Sequence, residues 1–416
     1  MFIYGIIFSL LILIPFNSAS CDNGTIKDLF EISIYKYTYK LMRKIYQDSQ
    51  SNFVVSPLSS WMLLSALSLG ASNNTLQEMT KEAKLHPDNC FNNLYLQYAL
   101  KLMKELSTLT ASTFERSSTI FFDKSLPIKE YFLRNVSKTG VCNVREISFL
   151  DDKVTETINE LVESDTNDAI EEMVTSVNVT GVLALMLDAL YFTGAWKIPF
   201  PFEDTTTDTF YNKRGEPIGD VSMMYLCDKY NFTWIKKIQS HVLELPYGNG
   251  RTFSMLIFLP KISIKRLISL LPTITISYIF KLFKVYKPDF ITVQIPRFKI
   301  FSSINLKKHL ISMGIKDVFD YQQASFPDIS EQQLFVSNFI QKASIVVDED
   351  GEVEAIPQMT LLQSRMFFEQ FTANKPFMFM VVDRNSHIPI FTGVYTEPSI
   401  CSRGENSIDD VDDYVD

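Results

Sequence analysis

A chain of 416 residues with 46% apolar and 21% charged residues carries a sizeable core and is neither disordered nor fibrous. That length admits two domains, or one large domain built around an extensive sheet. A net charge of −9, with no basic run to offset it, argues against nucleic acid as a partner, because phosphate neutralisation needs a surplus of Lys and Arg.

The first twenty residues, MFIYGIIFSLLILIPFNSAS, hold an uncharged apolar run of about sixteen residues followed by small ones, which is the pattern of a secretory signal cleaved near Ser20. A spanning helix needs about 20 apolar residues, so removal is expected in place of anchoring, and the product is expected outside the cell. Five potential glycosylation acceptors fit export: Asn23, Asn73, Asn135, Asn178 and Asn231, each followed by the required Ser or Thr two positions on. Five cysteines, without CxxC or metal-like spacing, are too sparse for a disulfide framework, and no essential disulfide is expected. The 33 Phe and 18 Tyr against 14 Gly, with abundant Ile, Lys and Asn, match AT-rich coding, as in some viruses and protists.

From Ile26 to Tyr46 apolar residues recur at helical spacing, and a second helix, Pro57 to Gly70, opens on the capping-type Ser56 and closes on glycine. Further on, Val182 to Phe192, Val242 to Tyr247, Thr252 to Leu259 and Ile291 to Phe301 are β-rich runs bounded by Gly, Pro and Asn. Gly248-Asn249-Gly250 reads as a hairpin turn. Helices and strands mix without regular βαβ alternation, so the fold class is α+β, and no linker divides two domains. Residues 399–416 form an acidic tail without apolar periodicity, for which disorder is expected.

No catalytic constellation stands out. The chain lacks a GxSxG elbow, a Walker A loop, HExxH and a GxGxxG after a strand, and its histidines, His86, His241, His309 and His387, are scattered. Neither an enzyme nor a metal or cofactor site is expected.

A series of motifs runs in one order through almost the whole chain: Asn52-Phe53-Val54-Val55-Ser56-Pro57-Leu58-Ser59, Asp188-Ala189-Leu190-Tyr191-Phe192-Thr193-Gly194-Ala195-Trp196, Val242-Leu243-Glu244-Leu245-Pro246-Tyr247 and Ile295-Pro296-Arg297-Phe298-Lys299. Met313-Gly314-Ile315-Lys316-Asp317-Val318-Phe319, Gln341-Lys342-Ala343, Asp348-Glu349-Asp350-Gly351, Asn374-Lys375-Pro376-Phe377 and Pro389-Ile390-Phe391-Thr392-Gly393 complete it. In this the chain resembles the serpins. The resemblance implies one domain over 21–398, with three β-sheets, about nine helices and an exposed reactive-centre loop between Gly351 and Asn374. It implies a monomer that meets a serine protease. The protease attacks the loop, is held as an ester, and is carried away as the freed segment enters the main sheet. The native state is then a kinetic trap whose strain is released on cleavage.

The usual loop lengths of the family, counted from Gly351 and from Phe377, meet at a reactive bond between Arg365 and Met366. An Arg there suits a trypsin-like protease, whose primary pocket holds a carboxylate that a guanidinium pairs with through two hydrogen bonds. Leu361, Leu362, Gln363 and Ser364 would fill the preceding subsites, while Phe367, Phe368 and Phe371 either extend recognition or pack on the body. The hinge departs from the family pattern of small residues: it reads Gly351-Glu352-Val353-Glu354-Ala355-Ile356-Pro357. The resemblance turns Glu352, Glu354 and Ile356 beneath the sheet on insertion, which buries two carboxylates, and Pro357 lacks the N–H a central strand needs. Two readings follow: a suicide inhibitor, or a scaffold whose loop is cut as a substrate. Where the sheet opens, Gln341 replaces the common His, Asp188 the usual Asn, and Leu161 a frequent Trp. Heparin activation is not expected, since the candidate helix near Asn93 to Leu106 carries only Lys101 and Lys104 as bases.

Overall fold

The computed structural model describes residues 23–86, 89–250, 252–351 and 369–399, with the backbone alone described at 23–26, 89 and 90. Helix α1 (Asn23–Asp48) leads through the short strand β1 (Phe53–Val55) into α2 (Pro57–Ser68), α3 (Asn73–Glu82) and α4 (Asn89–Leu106). Ser56 caps α2 as expected, its Oγ accepting from the Ser59 N–H at 3.3 Å. Eleven residues of α2 are buried, because this helix is apolar on nearly every side and runs through the core. Then come β2 (Thr113–Asp123), α5 (Glu130–Thr139), β3 (Asn143–Ile147), α6 (Val154–Asp165), the single turn α7 (Ser176–Val179) and β4 (Ala184–Thr193).

The central part is mainly strand: β5 (Thr206–Tyr211), β6 (Pro217–Ile235), β7 (Ser240–Pro246) and β8 (Phe253–Pro260), the last two joined at the expected Gly248 to Gly250 hairpin. Helices α8 (Ile264–Leu270) and α9 (Ile276–Tyr286) precede β9 (Asp289–Pro296), β10 (Phe298–Asn305), α10 (Leu306–Met313), β11 (Asn338–Val347), β12 (Glu369–Thr372), β13 (Phe377–Asp383) and β14 (Pro389–Tyr395). The β-rich run Ile291 to Phe301 is therefore two strands and not one. Pro296, which has no N–H for a ladder, closes β9, and Arg297 carries the chain from one sheet to the other.

Among the described residues the ten α-helices, nine of them longer than α7, and the strands match the α+β architecture that the resemblance implies. One sheet has the order β10-β11-β4-β2-β3. The other nine strands are joined by the nineteen-residue β6, whose first part pairs with β5 and β9 and whose last five residues pair with β7. Two sheets thus share one bent strand, giving three in all.

The five-stranded sheet lies between two packed layers, so its middle strands are buried on both faces. Alternate residues of β4 sort accordingly: Met186, Leu190 and Phe192 enter the main core with α2, and Leu185, Leu187 and Ala189 pack with Val154, Ile158 and Val162 of α6. Burying these faces is the main stabilising term, at about 25 cal/mol per Å² of apolar surface.

Candidate functional site

The feature that sets this sheet apart is its centre. β11 and β4 run parallel through nine registered pairs, from Asn338 opposite Leu185 to Val346 opposite Thr193, while β10 and β2 flank them antiparallel. A strand entering between β4 and β11, antiparallel to both, would exchange one parallel ladder for two antiparallel ones, which pair slightly better per residue. The chain beyond β11, residues 352–368, is long enough to supply it. The pair is therefore a latent slot, and what holds it shut and how the chain leaves β11 decide what the molecule can do.

It is held shut from below. Gln341 on β11 and Asp188 on β4 face each other across the seam, and Gln341 Nε2 donates to Asp188 Oδ2 at 2.6 Å. Gln341 also receives the Ser56 N–H at 2.8 Å and donates to the Ser56 carbonyl at 3.0 Å. The other Asp188 oxygen accepts from Ser59 Oγ at 2.7 Å and Ser118 Oγ at 2.5 Å. Arg116 Nε donates to the same Ser59 Oγ at 2.9 Å, and burial, partly offset by the Asp188 charge, lowers its pKa. The two departures from the family pattern are thus partners of one another, and the buried carboxylate is compensated by three donors and a nearby guanidinium. Parting β4 from β11 breaks a charge-assisted bond of about 1.5–3 kcal/mol.

It is clamped at the top. Trp196, just past β4, takes the Asp350 carbonyl on its N–H at 2.9 Å and the Asp348 carbonyl on its indole N–H at 2.7 Å, and bridges Gly351. A Cβ at Gly351 would lie 2.7 Å from the Trp196 carbonyl oxygen and the Pro199 side chain, so only glycine fits where the loop departs. Glu349 is held by Arg297, whose Nε reaches Oε2 at 2.9 Å and whose Nη2 bonds Oε1, and by Thr205 Oγ1 at 2.7 Å. Both partners of this ion pair are under 10% exposed. Burial pushes the Glu349 carboxyl up, but the Arg297 and Thr205 hydrogen bonds outweigh it and hold the group below the ordinary carboxylate range.

Removing one partner of a buried pair strands the other's charge, so Glu349→Ala is expected to cost about 3–5 kcal/mol, read as a shift of the urea unfolding midpoint. A lowered carboxyl contributes stability that is present above the unfolded value, near 4.5, and is lost as pH falls through the lowered folded value. Asp348, raised by burial, has the opposite sign: its ionisation weakens the fold as pH rises. Glu349→Gln is therefore expected to flatten the acid limb of the stability profile relative to the parent chain.

Of the expected site residues, Gly351 alone lies in this clamp. Glu352, Val353, Glu354, Ala355, Ile356, Pro357, Arg365 and Met366 lie outside the described residues, as do Phe367 and Phe368. Phe371 is buried on β12 and packs edge-on against Phe232, so it belongs to the body. Asn73 is exposed, Asn135 and Asn178 are half-buried, and the side chain of Asn23 is not described. Asn231 is half-buried, with its Nδ2 donating to the buried Glu244 at 2.6 Å. Cys142 and Cys227 are free thiols, and burial pushes the former up to about 12. Arg116, Ser118 and Thr205 belong to none of the motifs, and Ser59 closes the first of them without any sign of its partners Asp188 and Arg116. The one signal for Arg116 was a lone guanidinium in an otherwise strand-like run, which calls for a buried partner.

A latent central slot, a clamp at its mouth and a connecting segment after β11 now stand together, and the family model described as Serpin (serine protease inhibitor) matches residues 33–398. The chain belongs to the serpin family. Intracellular coagulation inhibitor 2 of Tachypleus tridentatus is 27% identical over 376 residues, 88% of this chain and 90% of that one. Plasminogen activator inhibitor 1 of Sus scrofa is 28% identical, covering 86% and 90%. Among solved structures, uncleaved ovalbumin superposes with a TM-score of 0.76 at 23% identity, covering 89% of this serpin and all of that chain. Serpin-12 of Manduca sexta gives 0.76 at 23%, covering 88% and 99%. These two likenesses concern the fold. Among the described residues no group of three or more His, Cys, Asp or Glu could hold a metal ion, and no single helix is long and apolar enough to cross a membrane.

Proposed function

We propose that this serpin is a secreted suicide inhibitor of a trypsin-like serine protease, with Arg365–Met366 as the reactive bond. The observation that carries the reading is the closed parallel seam between β4 and β11, a slot with a more favourable antiparallel occupancy. The family model is described as a serine protease inhibitor, and one relative is named for inhibiting a plasminogen activator, which supports the class of partner. Export rests on the apolar leader and the five glycosylation acceptors.

A second reading is favoured by the hinge. Glu352, Glu354 and Pro357 oppose insertion, and a slow loop lets the protease hydrolyse the ester and leave. The Gln341–Asp188 bond across the seam adds to that barrier. Purified protein mixed with trypsin and run on a denaturing gel separates the two. A band at the sum of the two masses is the expected result, and cleaved loop without that band leaves the chain a protease substrate.

A further inference from the structure

Acidic overall, this chain has one stretch of opposite sign. Residues 229–287 contain ten Lys and Arg against a single acid, Glu244, which gives +9 in a protein of −9 and leaves −18 elsewhere. Glu244 is buried and paired with Arg384 at 2.7 Å, so it neutralises none of the surface. The bases are far apart in sequence, yet the fold gathers them. On α9 the apolar face, Ile276, Ile279, Phe280 and Phe283, is buried, which turns Lys281 and Lys284 to solvent, and Lys287 is exposed just past the helix end. On α8 the same logic exposes Lys265 and Arg266.

Three further lysines lie over aromatic rings on or beside β6, α9 and β9. Lys237 sits 4.9 Å over the Tyr278 ring of α9, Lys261 lies 4.9 Å over Trp234, and Lys229 lies 4.9 Å over Phe290. Among the described residues none of these cations stands in an ion pair with a carboxylate. The flanking acids, Asp228 and Asp289, are turned to their own backbone, each accepting the N–H of the next residue. Such a face, left unpaired, repels itself and attracts a polyanion.

An occupant of the right charge is in the same chain. Residues 400–416 hold Glu405 and five aspartates, Asp409 to Asp416, against one base, Arg403. Their root is fixed by geometry: a Cβ on Gly219 would meet the Pro398 ring at 3.0 Å, so Pro398 sits against the start of β6. Lys229 is ten residues along that strand, hence at most about 36 Å away. The eleven residues from Pro398 to Asp409 can extend about 40 Å, so the aspartate cluster reaches Lys229 and the end of α9 beside it, where Tyr230 of β6 pairs with Asp289 just after that helix, and the residues on to Asp416 reach further along the face. Tethering raises its effective concentration to the millimolar range, where several weak ion pairs suffice for occupancy.

We propose that the face formed by the end of β6, α8 and α9 is the docking surface of the acidic segment Asp409–Asp416, an intramolecular latch that external polyanions must displace. Latch and protease reading are independent, since neither uses the other's residues. Zero-length carbodiimide coupling on the full-length protein, followed by peptide mass spectrometry, tests it. Isopeptide links from Asp409–Asp416 to Lys281, Lys284, Lys287 or Lys237 are expected. They should fall at least about fivefold in 0.5 M salt, where the screening length is only about 4 Å, and in Lys281→Glu/Lys284→Glu/Lys287→Glu. Links confined to other lysines, or none, overturn the proposal. Deleting residues 405–416 is expected to tighten binding to heparin, the polyanion probe, by about tenfold. Equal heparin affinity with and without the segment also overturns it, and assigns the face to a polyanion from outside.

Discussion

Arg365→Glu is expected to reduce complex formation with trypsin by about three orders of magnitude while leaving the unfolding midpoint within experimental error. A guanidinium in a carboxylate-bearing pocket forms a two-point charged pair, and the reversed charge leaves the pocket carboxylate desolvated and faced by a like charge. Losing such a pair costs about 4 kcal/mol, which is roughly a factor of 10³ in rate. The measurement is the second-order rate of band formation on denaturing gels, with heat or urea unfolding as the control. Trypsin trapping at the parent rate would remove Arg365 from the reactive position, whereas loss of the band with an unchanged fold supports it. Arg365→Lys keeps the charge but not the planar fork, so an intermediate rate is expected.

The hinge gives the second large effect. Glu352→Thr, Glu354→Ala and Pro357→Ala together are expected to raise the ratio of trapped to merely cleaved protein at least about tenfold. Each carboxylate carried beneath the sheet costs on the order of several kcal/mol unless it finds a partner, and protonation lowers that cost without removing it. The core beneath the seam holds one buried carboxylate already, Asp188, and its three donors and nearby Arg116 are committed to it. A proline in a central strand forfeits a ladder bond as well. Only about 1.4 kcal/mol off the insertion barrier is needed for a tenfold faster strand entry. Rapid-mix trypsin reactions, quantified for complex and cleaved species at several ratios, give the partition directly. An unchanged ratio would show that the hinge is not what limits trapping and would direct attention to the Gln341–Asp188 bond across the seam.

Family and fold class were legible in the residues because they rest on local, ordered signals: the Ser56 cap before Pro57, the Gly248 to Gly250 turn, the buried strand Asp188 to Phe192, and the succession of short motifs. Boundaries were less legible where two sheets meet. Ile291 to Phe301 looks continuous because the apolar pattern does not pause, and the switch at Arg297 is visible only when Glu349, more than fifty residues later, supplies the charge that buries it. The same holds for Gln341 and Asp188. Each is an odd residue by itself, and their meaning appears when β4 and β11 place them 2.6 Å apart.

The basic face is the plainest case of what a linear reading misses. No long run of lysines exists to be noticed, because Lys281, Lys284 and Lys287 recur three apart, and the others are spread over β6, the turn before β7 and the stretch from Lys261 into α8. By itself the sequence determined the α+β class, the serpin family and the composition of the loop segment, because periodicity, caps and motif order act over a few residues. Tertiary structure alone decided that the sheet is shut by a compensated carboxylate, that the hinge is clamped through Glu349, and that dispersed cations share one surface. The contacts that shut the sheet and clamp the hinge join residues 52 to 285 positions apart, and it is the burial of apolar faces on both sides of the sheet that brings them within hydrogen-bonding range.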